Sequence, residues 1–159
     1  MIMAFALTQK DVQKLNRILQ ELLERSESTG CVCCDHSGYV LAQRGVDSQD
    51  PLLISALGAG VFAASRELAR ILGEDKFSAV FHQGERKSIF ICAVNMDVLL
   101  VVIFSNDASV GLVKLYAAPA TDALRAVLEE VRVREDMVQV PEHTFVLNLS
   151  EDELFSTQD

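Results

Sequence analysis

Apolar residues recur along this chain in two spacings, one typical of helices and the other typical of strands. Intervals of three and four predict helices over residues 8–25, 51–72 and about 109–131. Shorter apolar or alternating runs, bounded by Gly, Asn and Asp, predict strands. These runs cover residues 31–35, 39–44, 78–82, 88–94 and 98–104. The predicted order is helix, hairpin, helix, three-strand meander and helix, within one domain.

The stretch PLLISALGAGVFAASRELARIL, residues 51–72, is apolar on both sides. Asp50 suits an N-cap and Gly73 suits a stop, so one helix is predicted. No charge precedes Arg66, and a helix that is apolar on both sides is expected to be buried on both. One stripe should meet the domain's own core and the other should meet another protein. The predicted core stripe is Leu53, Leu57, Val61, Ala64, Leu68 and Ile71, and the predicted outer stripe is Leu52, Ser55, Ala59, Phe62 and Ala63.

The two long strands predict the layers of the fold. Residues 88–94 and 98–104 are apolar on both faces, so each face of the sheet should carry helices. Thr8 and Asp11 form a capping-box pattern at the start of the first helix. Pro119 interrupts the last helical pattern and is expected to kink the helix or split it in two.

The end of the chain differs from the rest. Residues 1–134 are predicted to form the domain and residues 135–159 an acidic C-terminal tail. Residues 148–159 carry four acids and no base. Ser150 and Glu153 make a capping-box pattern, so this amphipathic segment is expected to become helical on binding a partner.

Composition narrows the function. The chain has 159 residues, half of them hydrophobic, which predicts one globular domain with a real core. Its net charge of −9 argues against nucleic acid and anionic membrane as main partners. The central helix is expected to be too short and too Gly-rich to span a bilayer. The N-terminus lacks a basic n-region, and three crowded cysteines do not form a secreted framework, so the cytoplasm is expected.

Motifs of catalysis are weak or missing. The string GAGVFA at 58–63 fits G-x-G-x-x-A, but it lies inside a helix rather than after a strand. Cys31 and Cys34 have CxxC spacing, yet on a strand they point to opposite faces. His36 lies in a predicted turn between Asp35 and Ser37, where a triad rarely forms. We therefore expect no enzyme, no cofactor and no metal site.

The sequence resembles the Roadblock / dynein light chain family, and within it the bacterial MglB-type regulators of small GTPases. Three stretches carry the resemblance: CDHSGYVLAQRG at 34–45, AASRELARILGEDKFSAVFHQGE at 63–85 and LLVVIFSNDASVGLVKL at 99–115. The resemblance implies an α+β sandwich, in which a five-stranded antiparallel sheet has one helix on one face and two on the other. The implied order is α-β-β-α-β-β-β-α.

The resemblance also implies a function. Members pair as homodimers through the central helix and the edge strand after it. An MglB-like dimer binds a Ras-like, MglA-type GTPase and stimulates its hydrolysis in cell polarity or motility, without an arginine finger. The implied GTPase contacts are Ala59, Phe62, Ala63, Arg66 and Arg70, the tail contacts are Leu149, Leu154 and Phe155, and the dimer contacts are Leu52, Ser55, Ala56 and Phe81.

Two other functions remain open at this stage. One is a passive Roadblock scaffold that anchors a larger complex and changes no rate. The other is a small αβα sensor that uses Cys31 and Cys34 or a pocket as its receptor.

Overall fold

The computed structural model describes residues 6–75 and 78–155, with side-chain surroundings up to residue 138. Its eight elements follow the predicted order and form the predicted α+β sandwich. Their bounds are α1 Gln9–Ser26, β1 Gly30–Asp35, β2 Val40–Arg44, α2 Pro51–Leu72, β3 Ala79–Gln83, β4 Lys87–Ala93, β5 Val98–Ser105 and α3 Val110–Phe155.

The five strands form one antiparallel sheet in the order β2-β1-β5-β4-β3. Strand β5 is central, and seven of its eight residues are buried, as its continuous apolar run requires. One row across the sheet, Cys33, Leu100 and Cys92, faces α1 and α3. The neighbouring row, Val32, Val101 and Ile91, faces α2. The predicted layers, one helix on one face and two on the other, are confirmed.

Local capping explains where the first two helices begin and end. The Thr8 and Asp11 side chains and backbones form the reciprocal capping box at α1. The carboxylate of Asp50 accepts bonds from the amides of Leu52 and Leu53 at α2. Gly73 ends α2 with a φ of 77°, a left-handed conformation that favours glycine.

Helix α3 differs from the prediction because it continues far beyond residue 131. It runs unbroken from Val110 to Phe155, so the expected split at Pro119 does not occur. Pro119 is exposed, and the residue one turn before it, Leu115, is 63 % exposed. The carbonyl that loses its helical donor at proline therefore lies on the outside of the helix, where water can bind it. The domain boundary after residue 134 stays a prediction.

The predicted faces of α2 are exchanged in the structure. Leu53, Leu57 and Leu68 are more than half exposed. The face on the sheet consists of Ser55, Gly58, Ala59, Phe62, Ser65 and Ala69. The core stripe predicted from helical spacing was therefore wrong except at the partly buried Val61, and of the outer stripe only Leu52 and Ala63 lie outside.

Close approach explains why small residues form the buried face of α2. A Cβ added to Gly58 would lie 3.1 Å from Val101 Cγ2, so the helix lies directly on the central strand. The Ser55 and Ser65 hydroxyls donate to the carbonyls of Pro51 and Val61, one turn earlier in the same helix. Because their hydroxyls are satisfied, these serines can be buried at little cost.

Helix α2 is long and apolar enough to cross a membrane by length and composition alone. The expectation that this helix is too short and too Gly-rich to span a bilayer is therefore wrong. The packing of α2 against β1, β2 and β5 explains its apolar character as that of a helix covering a sheet.

Candidate functional site

The outer face of α2 is an apolar surface that the protomer itself leaves open. Leu53, Leu57, Leu68 and Ile71 are 55–71 % exposed. At about 100° per residue, these side chains and Ala64 fall within about 60° of one another. We call this set, Leu53, Leu57, Ala64, Leu68 and Ile71, the large strip. Exposed apolar patches of this kind mark interaction surfaces.

A second strip of small residues lies beside the large strip. Ala56, Gly60 and Ala63 are exposed, and a Cβ placed on Gly60 would find no described atom within 4 Å. Helical geometry places these three residues within about 60° of one another, and we call them the small strip. Such a strip allows a partner backbone to approach the helix closely.

Two arginines, Arg66 and Arg70, lie next to the small strip around the helix, on the side away from the large strip. The Arg66 guanidinium carbon lies 6.0 Å from the centre of the Phe62 ring, a cation–π contact. Arg70 donates through Nε to Glu67 at 2.8 Å, and both side chains are largely exposed. The two arginines thus place positive charge at the border of an apolar face.

The structure brings together only part of the predicted contact set. Ala63, Arg66 and Arg70 lie on the outer side of α2, and so do Leu52 and Ala56. Ala59 is 6 % exposed, Phe62 3 % and Ser55 0 %, because all three lie against the sheet. Their assignment to a partner-facing surface is corrected: the isolated protomer does not present them. The side chains of Leu149, Leu154 and Phe155 lie outside the described side chains.

Strand β3 adds an edge to this surface. Within the part of the chain that the structure describes, it pairs only with β4, so its other side is a free edge with open backbone donors and acceptors. The ring of Phe81 stacks on Phe104 with centroids 6.0 Å apart and is 39 % exposed. The register places Phe81 beside Phe90, on the face that α1 and α3 cover. Phe81 therefore lies at the free edge, but on the opposite face of the sheet from α2.

Two apolar faces were expected for β4 from the sequence, but not that α2 would leave the β3 and β4 side of the sheet partly open. Val80 and Ile89 are only partly buried there, since α2 covers mainly β1, β2 and β5. Val61, next to the large strip, belongs to the same cluster. The alternation of Val80 with Phe81 and of Ile89 with Phe90 could have indicated two apolar faces on this hairpin. The large strip, Val80 and Ile89 thus border one apolar surface that ends at a free edge.

The cysteines do not form a reactive site. Cys31 faces α1 and α3, while Cys34 faces α2, as their spacing on a strand predicted. Burial raises the pKa of Cys31 to about 12 and that of Cys34 to about 11, so both thiols stay protonated at neutral pH. Within residues 6–75 and 78–138, no group of three His, Cys, Asp or Glu side chains could hold a metal ion. A CxxC sensor is therefore not supported by this geometry.

The candidate triad is a turn. Asp35 Oδ1 accepts from the Ser37 amide at 2.9 Å, the Ser37 hydroxyl at 2.6 Å and the Tyr39 amide at 2.9 Å. His36 turns away and contacts the carbonyl oxygen of Met96 through Nε2. Gly38 completes the turn with a φ of 88°. The three side chains stabilise a hairpin rather than activate a nucleophile.

These features define an αβα regulatory domain whose open surface is suited to binding proteins. The chain belongs to the Roadblock/LC7 domain family, whose match covers residues 14–104. This match includes α2, the whole sheet except the end of β5, and most of α1.

Solved structures place the similarity within one part of this family. MglB from Myxococcus xanthus is 30 % identical, with a TM-score of 0.74 over 79 % of this chain and 96 % of that one. The gliding protein MglB from Thermus thermophilus is 29 % identical, with a TM-score of 0.74 over 82 % of this chain and 99 % of that one. An uncharacterized protein of Aquifex aeolicus is 24 % identical over 134 residues, which is 82 % of this chain and 83 % of that protein.

Proposed function

We propose that this protein is a homodimeric regulator that binds a small Ras-like, MglA-type GTPase and stimulates its GTP hydrolysis in the cytoplasm. The observation that carries the proposal is the similarity to MglB along nearly the whole length of those chains. The open outer face of α2 supplies the surface that such binding requires. The process served, cell polarity or motility, is part of the same proposal.

The two strips of α2 suggest how one helix serves two contacts. The large strip borders Val61, Val80 and Ile89, and that apolar surface ends at the free edge of β3. A second copy placed there would cover the leucines and pair the edge strands, which removes an aggregation hazard. We therefore assign the large strip, Val80 and Ile89 to the dimer.

The small strip then remains for the GTPase. Ala56, Gly60 and Ala63 permit close backbone approach, while Arg66 and Arg70 offer charge at the border. An apolar centre with an arginine at its margin is a common arrangement in binding sites. In this proposal Ala63, Arg66 and Arg70 contact the GTPase as expected, while Ala59 and Phe62 pack α2 onto the sheet.

Ala63→Arg tests this assignment. The side chain at residue 63 is exposed, so the variant should fold and keep the dimer mass in light scattering. We expect it to lose stimulation of a Ras-like GTPase by about tenfold or more, because a bulky charge blocks close approach. Gln13→Arg, at an exposed position of α1, adds the same side chain elsewhere and should stimulate normally.

The assay also separates the alternatives. Dimers that bind the GTPase but leave its turnover unchanged would make the protein a passive scaffold. Dissociation of Ala63→Arg into monomers would assign the small strip to the dimer instead. Full stimulation by a dimeric Ala63→Arg would place the GTPase on another surface.

A further inference from the structure

A cleft with two arginines lies at the end of the sheet where β4 turns into β5. Its volume is about 720 Å³, and its walls come from α2, α3 and the β4–β5 turn. We call it the arginine cleft. Its lining includes Phe62, Arg66, Asp75, Met96 and Arg125. None of the contacts assigned above to the dimer lies in it.

The cleft places two arginines together in an acidic protein. The chain carries a net charge of −9, and the described lining includes Arg66, Arg125 and the carboxylate of Asp75, while Asp122 pairs with Arg125 from outside the lining. The Arg125 Nε donates to the carbonyl of Val94 at 2.8 Å, and its Nη1 donates to Asp122 at 2.8 Å. Arg125 is thus held in place before any ligand arrives, which lowers the entropic cost of binding.

Apolar atoms lie between and beside the two cations. Arg66 sits 6.0 Å from the Phe62 ring centre, and Met96 is 85 % exposed at the rim. A flexible methionine at the surface adapts to apolar side chains of different shape. The cleft is therefore suited to a short segment that combines carboxylates with apolar anchors.

The chain contains one segment of this composition. Residues 150–155, SEDELF, place three consecutive acids before Leu154 and Phe155. Carboxylates pair well with arginine in bidentate geometry, and an aromatic or leucine anchor provides apolar burial. Charge complementarity therefore points to the C-terminal end of this chain as the occupant of the arginine cleft.

The occupant must come from another copy of the chain. Arg125 and Ser150 lie in the same helix, since α3 runs unbroken from Val110 to Phe155. They are 25 residues apart (150 − 125), which corresponds to about 38 Å along a helix. A segment of that helix cannot fold back onto its own Arg125 while the helix persists.

We propose that residues 150–155 of one copy dock into the arginine cleft of a second copy. Carboxylates of Glu151, Asp152 and Glu153 bind Arg66 and Arg125, and Leu154 or Phe155 packs on Met96.

Photo-crosslinking in the full-length chain tests the docking. Phe155 is replaced by benzoylphenylalanine in ¹⁵N-labelled protein, which is mixed with unlabelled protein lacking the probe and irradiated. We expect crosslinked peptides that join labelled residue 155 to unlabelled residues 93–96 or 62–66. Added salt should reduce the yield, since the pairing is largely ionic.

Charge reversal provides the matched variants. Arg66→Glu in the unlabelled chain should lower the crosslink yield by about tenfold, because like charges then meet. Combining it with Glu151→Arg and Glu153→Arg in the labelled chain should restore the yield. Arg17→Glu, at an exposed position of α1, makes the same charge change away from the cleft and should leave the yield unchanged.

Each remaining outcome overturns the proposal. No labelled–unlabelled crosslink in a large excess of unlabelled chain, crosslinks only to other surfaces, or unchanged yield in Arg66→Glu would each exclude docking in the arginine cleft. A fluorescent peptide of residues 147–159 gives an independent readout by anisotropy with the full-length Glu151→Arg, Glu153→Arg chain, which keeps both arginines of the cleft and lacks an acidic tail of its own. Absence of peptide binding to this chain would exclude the docking even if GTPase stimulation is normal, so the two proposals fail separately.

Discussion

Asp11 joins the start of α1 to the far part of α3. Its Oδ2 accepts from the Thr8 amide at 2.8 Å, the Thr8 hydroxyl at 2.9 Å and Arg134 Nη2 at 2.6 Å. The side chain is 3 % exposed, whereas that of Arg134 is 45 % exposed. The hydrogen bond from Arg134 lowers the pKa of Asp11 from 3.8 to about 2, against the opposing effect of burial. One carboxylate thus caps a helix and fixes a second helix at the same time.

The lowered pKa of Asp11 predicts a pH-dependent contribution to stability. A carboxyl with a folded pKa below its unfolded pKa stabilises the protein fully above about pH 4, and this contribution is lost as pH falls towards about 2. Arg134→Gln should lower the urea midpoint at neutral pH, and the difference from the original chain should shrink between about pH 4 and 2. Equilibrium urea unfolding at several pH values measures this.

Arg132→Gln is the matched control for that experiment. Arg132 donates to Glu129 at 2.7 Å, but both side chains are more than half exposed. Exposed pairs contribute little, so the control should leave the midpoint nearly unchanged. An Arg134→Gln effect that stays constant over the acid range would show that Asp11 is not the titrating partner.

At the scale of elements, α2 shows that size alone is a poor guide to burial. Its leucines point outward, while Phe62 lies on the sheet beside Gly58, Ser55 and Ala59, which allow the helix to lie close to the strands. The turn between β1 and β2 packs against the first turns of α2, because a Cβ on Gly38 would lie 2.8 Å from the Ala56 Cα. The helix is thus held from beneath and from one end, which leaves its large strip free for a partner.

Leu57→Arg should break the proposed dimer. Leu57 is 63 % exposed in the protomer, so the substitution should cost the monomer little. At a dimer contact, burying an unpaired charge should weaken association by about tenfold or more. Light scattering over a concentration series measures the change, with Gln13→Arg as the control. A Leu57→Arg protein that stays dimeric would remove the large strip from the interface.

At the scale of the whole molecule, the sandwich and the end of α3 have different roles. The two clusters on either side of the sheet draw on α1, α2 and α3 up to Leu128, and Val131 is buried as well. Arg134 and Glu135 still contact the N-terminal segment, through Asp11 and the Ala6 amide. These contacts lie at the predicted domain boundary after residue 134, which stays a prediction.

Deletion of residues 141–159 should leave this unit intact. The described core is built from residues up to Val131, so the melting temperature should change by a few degrees at most. The truncated chain should remain dimeric, while partner binding or effects on GTP turnover should weaken. Circular dichroism and light scattering check the fold and mass. A large loss of thermal stability would show instead that this segment packs as part of the domain.

Local chemistry by itself determined the element order and most boundaries. The capping box at Thr8, the Asp50 cap, Gly73 and the turn at Gly38 act within a few residues of chain, so their patterns can be read directly. Apolar runs in β4 and β5 likewise required a layer on each face. The resemblance to a known family added the pairing of helices with faces, which the structure confirms.

Only the tertiary structure decided which side of α2 is inside. A helix that is apolar all round has no polar face to set which side is buried. The side rich in small residues is buried because it lets the helix backbone pack closely on the strands. The tertiary structure also decided that α3 continues through Pro119 and that Arg66 and Arg125 line the same cleft. Such choices depend on residues far apart in the chain, and periodicity along one segment carries no information about them.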